Sequence, residues 1–187
     1  MISPAVRLRP ARPDDAEPVA QLHARSWRLH YRGAYSDAYL DGDVVADRLA
    51  VWSARLAEAG PGAETFVAED DGGLVGFVHV VFDHDERWGS LVDNLHVAQE
   101  RRRGGVGALL LTRAAEAVAE RAAGRGLYLW VQEQNTAARG FYRAMGGAQV
   151  ETVAIAPPGG VPEWLNGSPR KLQMAWEDVK SCEARVS

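Results

Sequence analysis

Hydrophobic residues along the chain fall into alternating and helical spacings that can be read element by element. Val6 and Leu8 alternate in a short strand. Pro13-Asp14-Asp15 then opens a helix carrying Val19, Leu22 and Trp27, which Gly33 ends. Ser36 to Glu58 places Val44, Val45, Leu49, Trp52 and Leu56 on one side, predicting a second helical stretch broken near Asp41-Gly42-Asp43. The run TFVAEDDGGLVGFVHVVF predicts two β-branched and aromatic strands around an Asp-Asp-Gly-Gly turn. Across a polar loop, Asp83 to Arg87, a third strand follows in GSLVDNLHV. The Arg- and Gly-rich AQERRRGGVG leads directly into ALLLTRAAEAVAERAA, where Leu110, Ala114, Ala117 and Val118 recur at helical spacing until Gly124. GLYLWVQ is a continuous apolar strand of the buried kind. NTAARGFYRAMGG is an Asn-capped short helix ended by glycines. Two last strands, near Gln149 to Ile155 and Lys171 to Trp176, flank the Pro- and Gly-rich PPGGVPEWLNGSP. The order is β-α-α-β-β-β-α-β-α-β-β, without internal repeat.

The chain has 187 residues, enough for one domain with a real core. The expected division is a single domain over 1–178 and a short flexible tail over 179–187. Apolar residues at 47% and charged residues at 25% exclude global disorder. No apolar run reaches the roughly eighteen residues of a bilayer span, and MISPAVRLRPARPDD lacks the apolar core of a signal peptide, so a cytoplasmic protein without membrane partners is expected. Cys182 is the single cysteine and cannot form an internal disulfide or a cysteine-rich metal site. His23, His30, His84 and His96 show no metal-ligand spacing, so no metal is expected. A net charge of −4 disfavours a polyanion-binding surface, and no nucleic-acid recognition motif is present to offset it.

The informative segment is LHVAQERRRGGVGALLL: a strand, a loop of arginines and glycines, then a helix. Unpaired peptide N–H groups at the positive end of a helix dipole make such a loop a phosphate site. Gly104, Gly105 and Gly107 let the backbone approach an anion, and Arg101, Arg102 and Arg103 add positive charge. A bland solvated turn would be an odd place for cations, which oppose the dipole at a helix start. A P-loop needs Gly-Lys and then Ser or Thr, which GGVGALL lacks. A dinucleotide fingerprint needs a third Gly or Ala where this chain has Leu110, and it belongs on the first βα unit. The spacing that fits is Arg102-x-x-Gly105-x-Gly107.

That spacing resembles the Q/R-x-x-G-x-G/A signature of the GCN5-related N-acetyltransferase (GNAT) family, at the start of the helix after the fourth strand. NLHV looks like the end of that strand, and Asn135, Ala138, Phe141 and Tyr142 match the family's N-x-x-A-x-x-F-Y pattern after the fifth. SWRLHYRGAYSDAYL is similar to the family's first-helix region. The matches cover most of Val6 to Trp176 in the family's order. One departure is Arg103-Gly104, where many members have Gly followed by Arg or Lys. The resemblance implies an α+β fold, a mixed and mostly antiparallel sheet flanked by helices, with acetyl-coenzyme A wedged where strands four and five splay apart. It implies cofactor contacts from Leu95, His96 and Val97 along the strand, from Arg102, Arg103, Gly104, Gly105, Val106, Gly107 and Ala108 in the loop, and from Asn135 and Tyr142.

The implied reaction is acetyl transfer to a primary amine of a small molecule or a protein N-terminus, by direct attack. An ammonium with a pKa near 10.4 has no lone pair, so a base is required. Asp93, read as sharing a strand face with Leu91 and Leu95, and His79, between apolar strand residues, are the candidates. Tyr142 is either the acid that protonates the thiolate or an aromatic partner of Phe141. Asn135 caps its helix whether or not it also touches the cofactor. Trp27, Tyr31, Tyr35 and Tyr39 recur every four residues, a core stripe whose Trp27 and Tyr31 also line the expected acceptor pocket together with Trp164 of the loop PPGGVPEWLNGSP. A non-catalytic acyl-coenzyme A sensor with the same loop is the alternative. An exposed sheet edge near the C-terminus would permit a homodimer.

Overall fold

The computed structural model describes residues 5–182. Strand β1 (Arg7–Pro10) leads to helix α1 (Ala16–His30), and Gly33, at φ +91°, takes the left-handed conformation that turns the chain out of it. Ser36 caps α2 (Asp37–Leu40), its hydroxyl accepting from the Tyr39 N–H at 3.3 Å. After the break at Asp41 to Asp43 comes α3 (Val44–Ala57). Strands β2 (Ala63–Asp70) and β3 (Gly73–Asp85) form the expected hairpin, closed by the Asp70 carboxylate accepting from the Gly72 N–H at 2.7 Å.

Strand β4 (Gly89–Val97) returns antiparallel to β3. The polar connection expected at Asp83 to Arg87 is shorter, because β3 runs on to Asp85. The Asp83 carboxylate meanwhile accepts from the N–H groups of Ala123 and Gly124, at 2.8 and 3.0 Å. Helix α4 (Val106–Arg121), β5 (Leu127–Gln132), α5 (Thr136–Ala144), β6 (Ala148–Ala154) and β7 (Arg170–Trp176) complete the chain.

The seven strands form one sheet in the order β1-β2-β3-β4-β5-β7-β6. Every pair is antiparallel except β4 with β5. Helices α4 and α5 cover one face, where Val78, Val80, Leu110, Leu111, Val118, Leu127, Leu129 and Met174 make the main core. Helices α1 and α3 cover the other, where Val19, Leu22, Trp52, Val67 and Phe77 pack. Gly76 sets how closely α4 sits on the sheet: a Cβ there would lie 2.9 Å from Leu110 Cδ1 and 3.2 Å from Val106 Cγ1. Among the described residues no helix is long and apolar enough to cross a membrane. Val179 and Cys182, expected in a flexible tail, are buried in the main core, and residues 183–187 of that tail lie outside the described residues.

Candidate functional site

Two features converge at the centre of the sheet. The parallel pairing of β4 with β5 stops at Val92 opposite Leu129, although β4 continues to Val97 and β5 to Gln132. Beyond that point the two strands splay, and the edge of β4 at Leu95, His96 and Val97 turned toward β5 has no strand partner among the described residues. The chain then makes a short 3-10 turn at Gln99–Arg101 and enters α4 through Arg102 to Gly105. No side chain caps α4, and its first ladder bond runs from the Leu109 N–H to the Gly105 carbonyl, so the N–H groups of Val106, Gly107 and Ala108 point out of the helix start. This first turn fits an anionic diphosphate, through its unpaired N–H groups and the dipole's positive end.

The loop's backbone explains its composition. Gly105 has φ +82° and Arg103 φ +63°, both left-handed. Arg103 stands where many family members have glycine, so an arginine here takes a conformation that glycine adopts without strain. Gly107 faces Phe141 of α5, whose Cζ would lie 3.4 Å from a Cβ there. Arg101, expected to face an anion, is instead ion-paired with the buried Asp70 of the β2–β3 turn and anchors the loop. Arg102 and Arg103 are exposed. A cavity of about 100 Å³ lies beside the loop, between α1 and the end of β4, and Ser26, His30, Val97 and Gln99 line it.

On the α1 and α3 side of the splay lie the candidate proton-transfer groups. In β4 the register jumps, His79 pairing with Asn94 but Val80 with Val92, so Asp93 is the extra residue of a β-bulge. The expectation that Asp93 shares a face with both Leu91 and Leu95 fails for this reason. Leu95 packs toward α4, whereas Leu91 pairs with Tyr128 on the other face. The bulge turns the Asp93 carboxylate toward α3, where Arg55 Nη1 meets its Oδ2 at 2.9 Å; the same nitrogen donates to Asn94 Oδ1 at 3.3 Å. Arg55 also stacks over Trp52, 5.1 Å from the ring centre.

His79 is buried, with Nδ1 2.8 Å from the Thr65 hydroxyl. Burial and the nearby Arg55 charge push its pKa down to about 4, against a smaller opposing pull from Asp93. His96 turns toward α1, Nδ1 2.7 Å from the Ser26 hydroxyl, and burial, His30 and Arg102 lower it to about 3. Next to it His23 accepts the Trp52 indole N–H on Nδ1 at 3.0 Å, which leaves its proton on Nε2; burial holds this imidazole neutral.

Tyr142 of α5 is buried, and burial pushes its hydroxyl up to about 12. Asn135 caps α5, Oδ1 accepting from the Ala138 N–H at 3.1 Å. Burial raises the pKa of Tyr31, and Tyr35, Tyr142 and Asp93 raise it further.

The aromatic stripe continues past the end of α1. Ring centres run from Trp27 to Tyr31 at 5.5 Å, to Tyr35 at 5.0 Å, to Tyr39 at 5.7 Å, and on to Trp164 at 4.7 Å. Backbone bonds join the same segments, the Ser36 N–H to the Trp164 carbonyl and the Asn166 N–H to the Ala34 carbonyl, both at 2.9 Å. The α1–α2 connection and the β6–β7 connection thus form one wall. Arg55 of α3, Thr65 of β2 and Ser26 of α1 lie beside these groups without any signal in the sequence, since each reaches them from a different element. Among the described residues no three His, Cys, Asp or Glu converge as metal ligands.

The Acetyltransferase (GNAT) family model matches residues 19–146, and the chain belongs to that family. A Mycobacterium tuberculosis protein named Probable N-acetyltransferase Rv2775 is 31% identical over 140 residues, which cover 73% of this chain and 76% of that one. The fold is similar to that of the PaiA N-acetyltransferase of Thermoplasma acidophilum solved with coenzyme A, at a TM-score of 0.71 and 17% identity, covering 92% of this chain and 99% of the other. It is also similar to that of YncA from Salmonella typhimurium with its cofactor acetyl-CoA, at 0.66 and 20%, covering 92% and 94%. The expected α+β architecture is thus the one observed, and the chain is an acetyl-CoA-dependent N-acetyltransferase.

Proposed function

We propose that this enzyme transfers the acetyl group to a primary amine, of a small molecule or a protein N-terminus, by direct attack within a single domain. The observation that carries the reading is the splay after Val92 and Leu129, which has the uncapped start of α4 at one end, with the bulged Asp93 paired to Arg55 on the strand that splays. In this reading Arg102 to Ala108 bind the pyrophosphate, the β4 edge from Leu95 to Val97 pairs with the pantetheine arm, and Asn135 adds a contact beside its cap. Acetyl-CoA supplies the thioester; the residues supply position and proton transfer.

Asp93 takes the proton that the ammonium must lose. His79 is the second candidate, because it is buried and Thr65 occupies one ring nitrogen. A backbone N–H between Leu95 and Val97 stabilises the oxyanion that develops as the amine attacks. Tyr142 protonates the departing thiolate, and its raised pKa keeps the proton available throughout the neutral range. Trp27, Tyr31 and Trp164 bound the acceptor. The reading places the enzyme in the cytoplasm. It allows a homodimer through β6, the strand at the sheet's edge, which carries the exposed Val150.

The test is free thiol release from acetyl-CoA in the presence of a panel of primary amines, with the product identified by mass. Amine-dependent release with an acetylated amine is expected. Thiol release that ignores the amine, or tight acetyl-CoA binding without release, would overturn transfer in favour of hydrolysis or sensing.

A further inference from the structure

Strands β5 and β7 carry two buried glutamines that the fold does not use. Leu127, Leu129 and Val131 of β5 enter the α4-side core, as do Leu172, Met174 and Trp176 of β7. Strand alternation therefore sends Gln132 and Gln173 to the opposite face, the side of Asp93 and Tyr31. The register sets Gln132 opposite Lys171 and Trp130 opposite Gln173, so the two glutamines are diagonal neighbours. They are 6% and 1% exposed. Both polar ends of the Gln132 amide, and the side-chain carbonyl oxygen of Gln173, nevertheless make no hydrogen bond among the described residues.

An unpaired buried amide is unfavourable, and an apolar side chain of the same size would serve a core better. Gln134, two residues on, shows the contrast. Its Nε2 donates to the carbonyls of His30 at 3.0 Å and Arg32 at 3.3 Å, tying the turn after β5 to the end of α1. Gln132 thus sits where β5 has left β4, next to the junction with α1 that Tyr31 adjoins.

We infer that Gln132, with Gln173 beside it, determines acceptor specificity by reading an amide group next to the amine that is acetylated. The inference rests on the acetyl-transfer reading above. The unpaired atoms offer an NH2 donor and two carbonyl acceptors. Their complement is a carbonyl with N–H groups close by, as in an α-amino amide, where the amide carbonyl lies one carbon from the amine. A plain alkylamine leaves the glutamines unpaired, and a site built to hydrogen-bond its ligand discriminates strongly against such an analogue. The acceptor class is therefore an amino-acid amide or the first residue of a peptide.

The experiment is calorimetry on the coenzyme A-loaded full chain, titrating L-phenylalaninamide and 2-phenylethylamine, which differ only in the carboxamide. Wild type should prefer the amide by about tenfold or more. Gln132→Met keeps the side-chain length and removes both polar atoms. It should reduce the preference to about twofold or less, leave coenzyme A affinity unchanged and leave Tm equal or higher. Gln173→Met, on the other strand, should weaken the preference in the same direction and stands in if the first variant does not fold. No preference in wild type, or a preference that survives both substitutions, overturns the inference; a fall in Tm with the preference intact would mean that the amides serve the fold through bound water. Thiol release with 2-phenylethylamine keeps the two readings apart. If wild type releases thiol without preferring the amide, only the specificity inference fails. If the preference holds but neither amine releases thiol, acetyl transfer is what fails.

Discussion

The loop from Arg102 to Ala108 and the wall around Tyr31, Asp93 and Trp164 lie on two sides of one splay, yet they are built differently. The loop is a single run of residues, and its chemistry is main-chain chemistry: two left-handed positions, an uncapped helix start and N–H groups that any sequence with the right glycines would present. The wall, the proposed acceptor side, is assembled from α1, α3, a bulge in β4, the ends of β5 and β7 and the β6–β7 connection. Its chemistry belongs to side chains that meet only after folding. A site made of consecutive backbone can serve one invariant ligand, whereas a site made of distant side chains can be altered one residue at a time. This is how a family that keeps one cofactor can vary its acceptor.

Substitutions on either side should break that division if it is wrong. The largest effect is expected at the junction. Asp93→Asn removes the proposed base while keeping the bulge, and should lower kcat/KM by about 10² to 10⁴-fold with acetyl-CoA affinity intact in calorimetry. Tyr142→Phe removes only the hydroxyl and should lower kcat by about one to three powers of ten, roughly 1.4 to 4 kcal/mol, in single-turnover measurements where chemistry limits the rate. An unaltered kcat would leave the thiolate to be protonated by water. Gly105→Asp sets a carboxylate at the diphosphate position and a side chain at φ +82°, and should weaken acetyl-CoA binding by about a hundredfold while sparing the pairing around Asp93.

A stability measurement sharpens the contrast from the other direction, because the α1-facing side of the sheet holds neutral imidazoles and the loop holds none. An unfolded histidine takes up a proton near pH 6.5, whereas His79 resists until about 4 and His96 until about 3. Their contribution is complete above pH 6.5 and is lost as the pH falls toward these values. Denaturant unfolding at pH 5 should show a loss of roughly 2 kcal/mol for each such buried imidazole relative to pH 7, and His79→Gln should remove one share of that dependence. The smallest effect is expected at Arg103, whose left-handed backbone is strained. Arg103→Gly should raise stability by about 1 kcal/mol in chemical denaturation, and a loss there would mean that its side chain makes a compensating contact.

Most of the fold was legible along the chain because its signals are local. Alternation gave the strands, glycines such as Gly33 and the Asp41 to Asp43 break gave the ends of helices, and the Asn135 cap, the Asp-Asp-Gly-Gly turn and the glycine loop each act within a few residues. The loop could be recognised for the same reason, as backbone conformation follows residue type at short range. Only the tertiary structure decided what depends on distant partners. A single bulged residue put Leu91 and Leu95 on opposite faces, so Asp93 could not share one with both, and Asp70 took Arg101 from the anion loop. The aromatic stripe ran past the end of α1 to Trp164, and burial with the Arg55 charge lowered the pKa of His79. Gln132 and Gln173 look like ordinary strand polar residues until the register shows both buried on the α1 side of the sheet, with side-chain polar atoms unpaired among the described residues. These properties are set by burial, charge and pairing between residues far apart in the chain, and no window of sequence contains them.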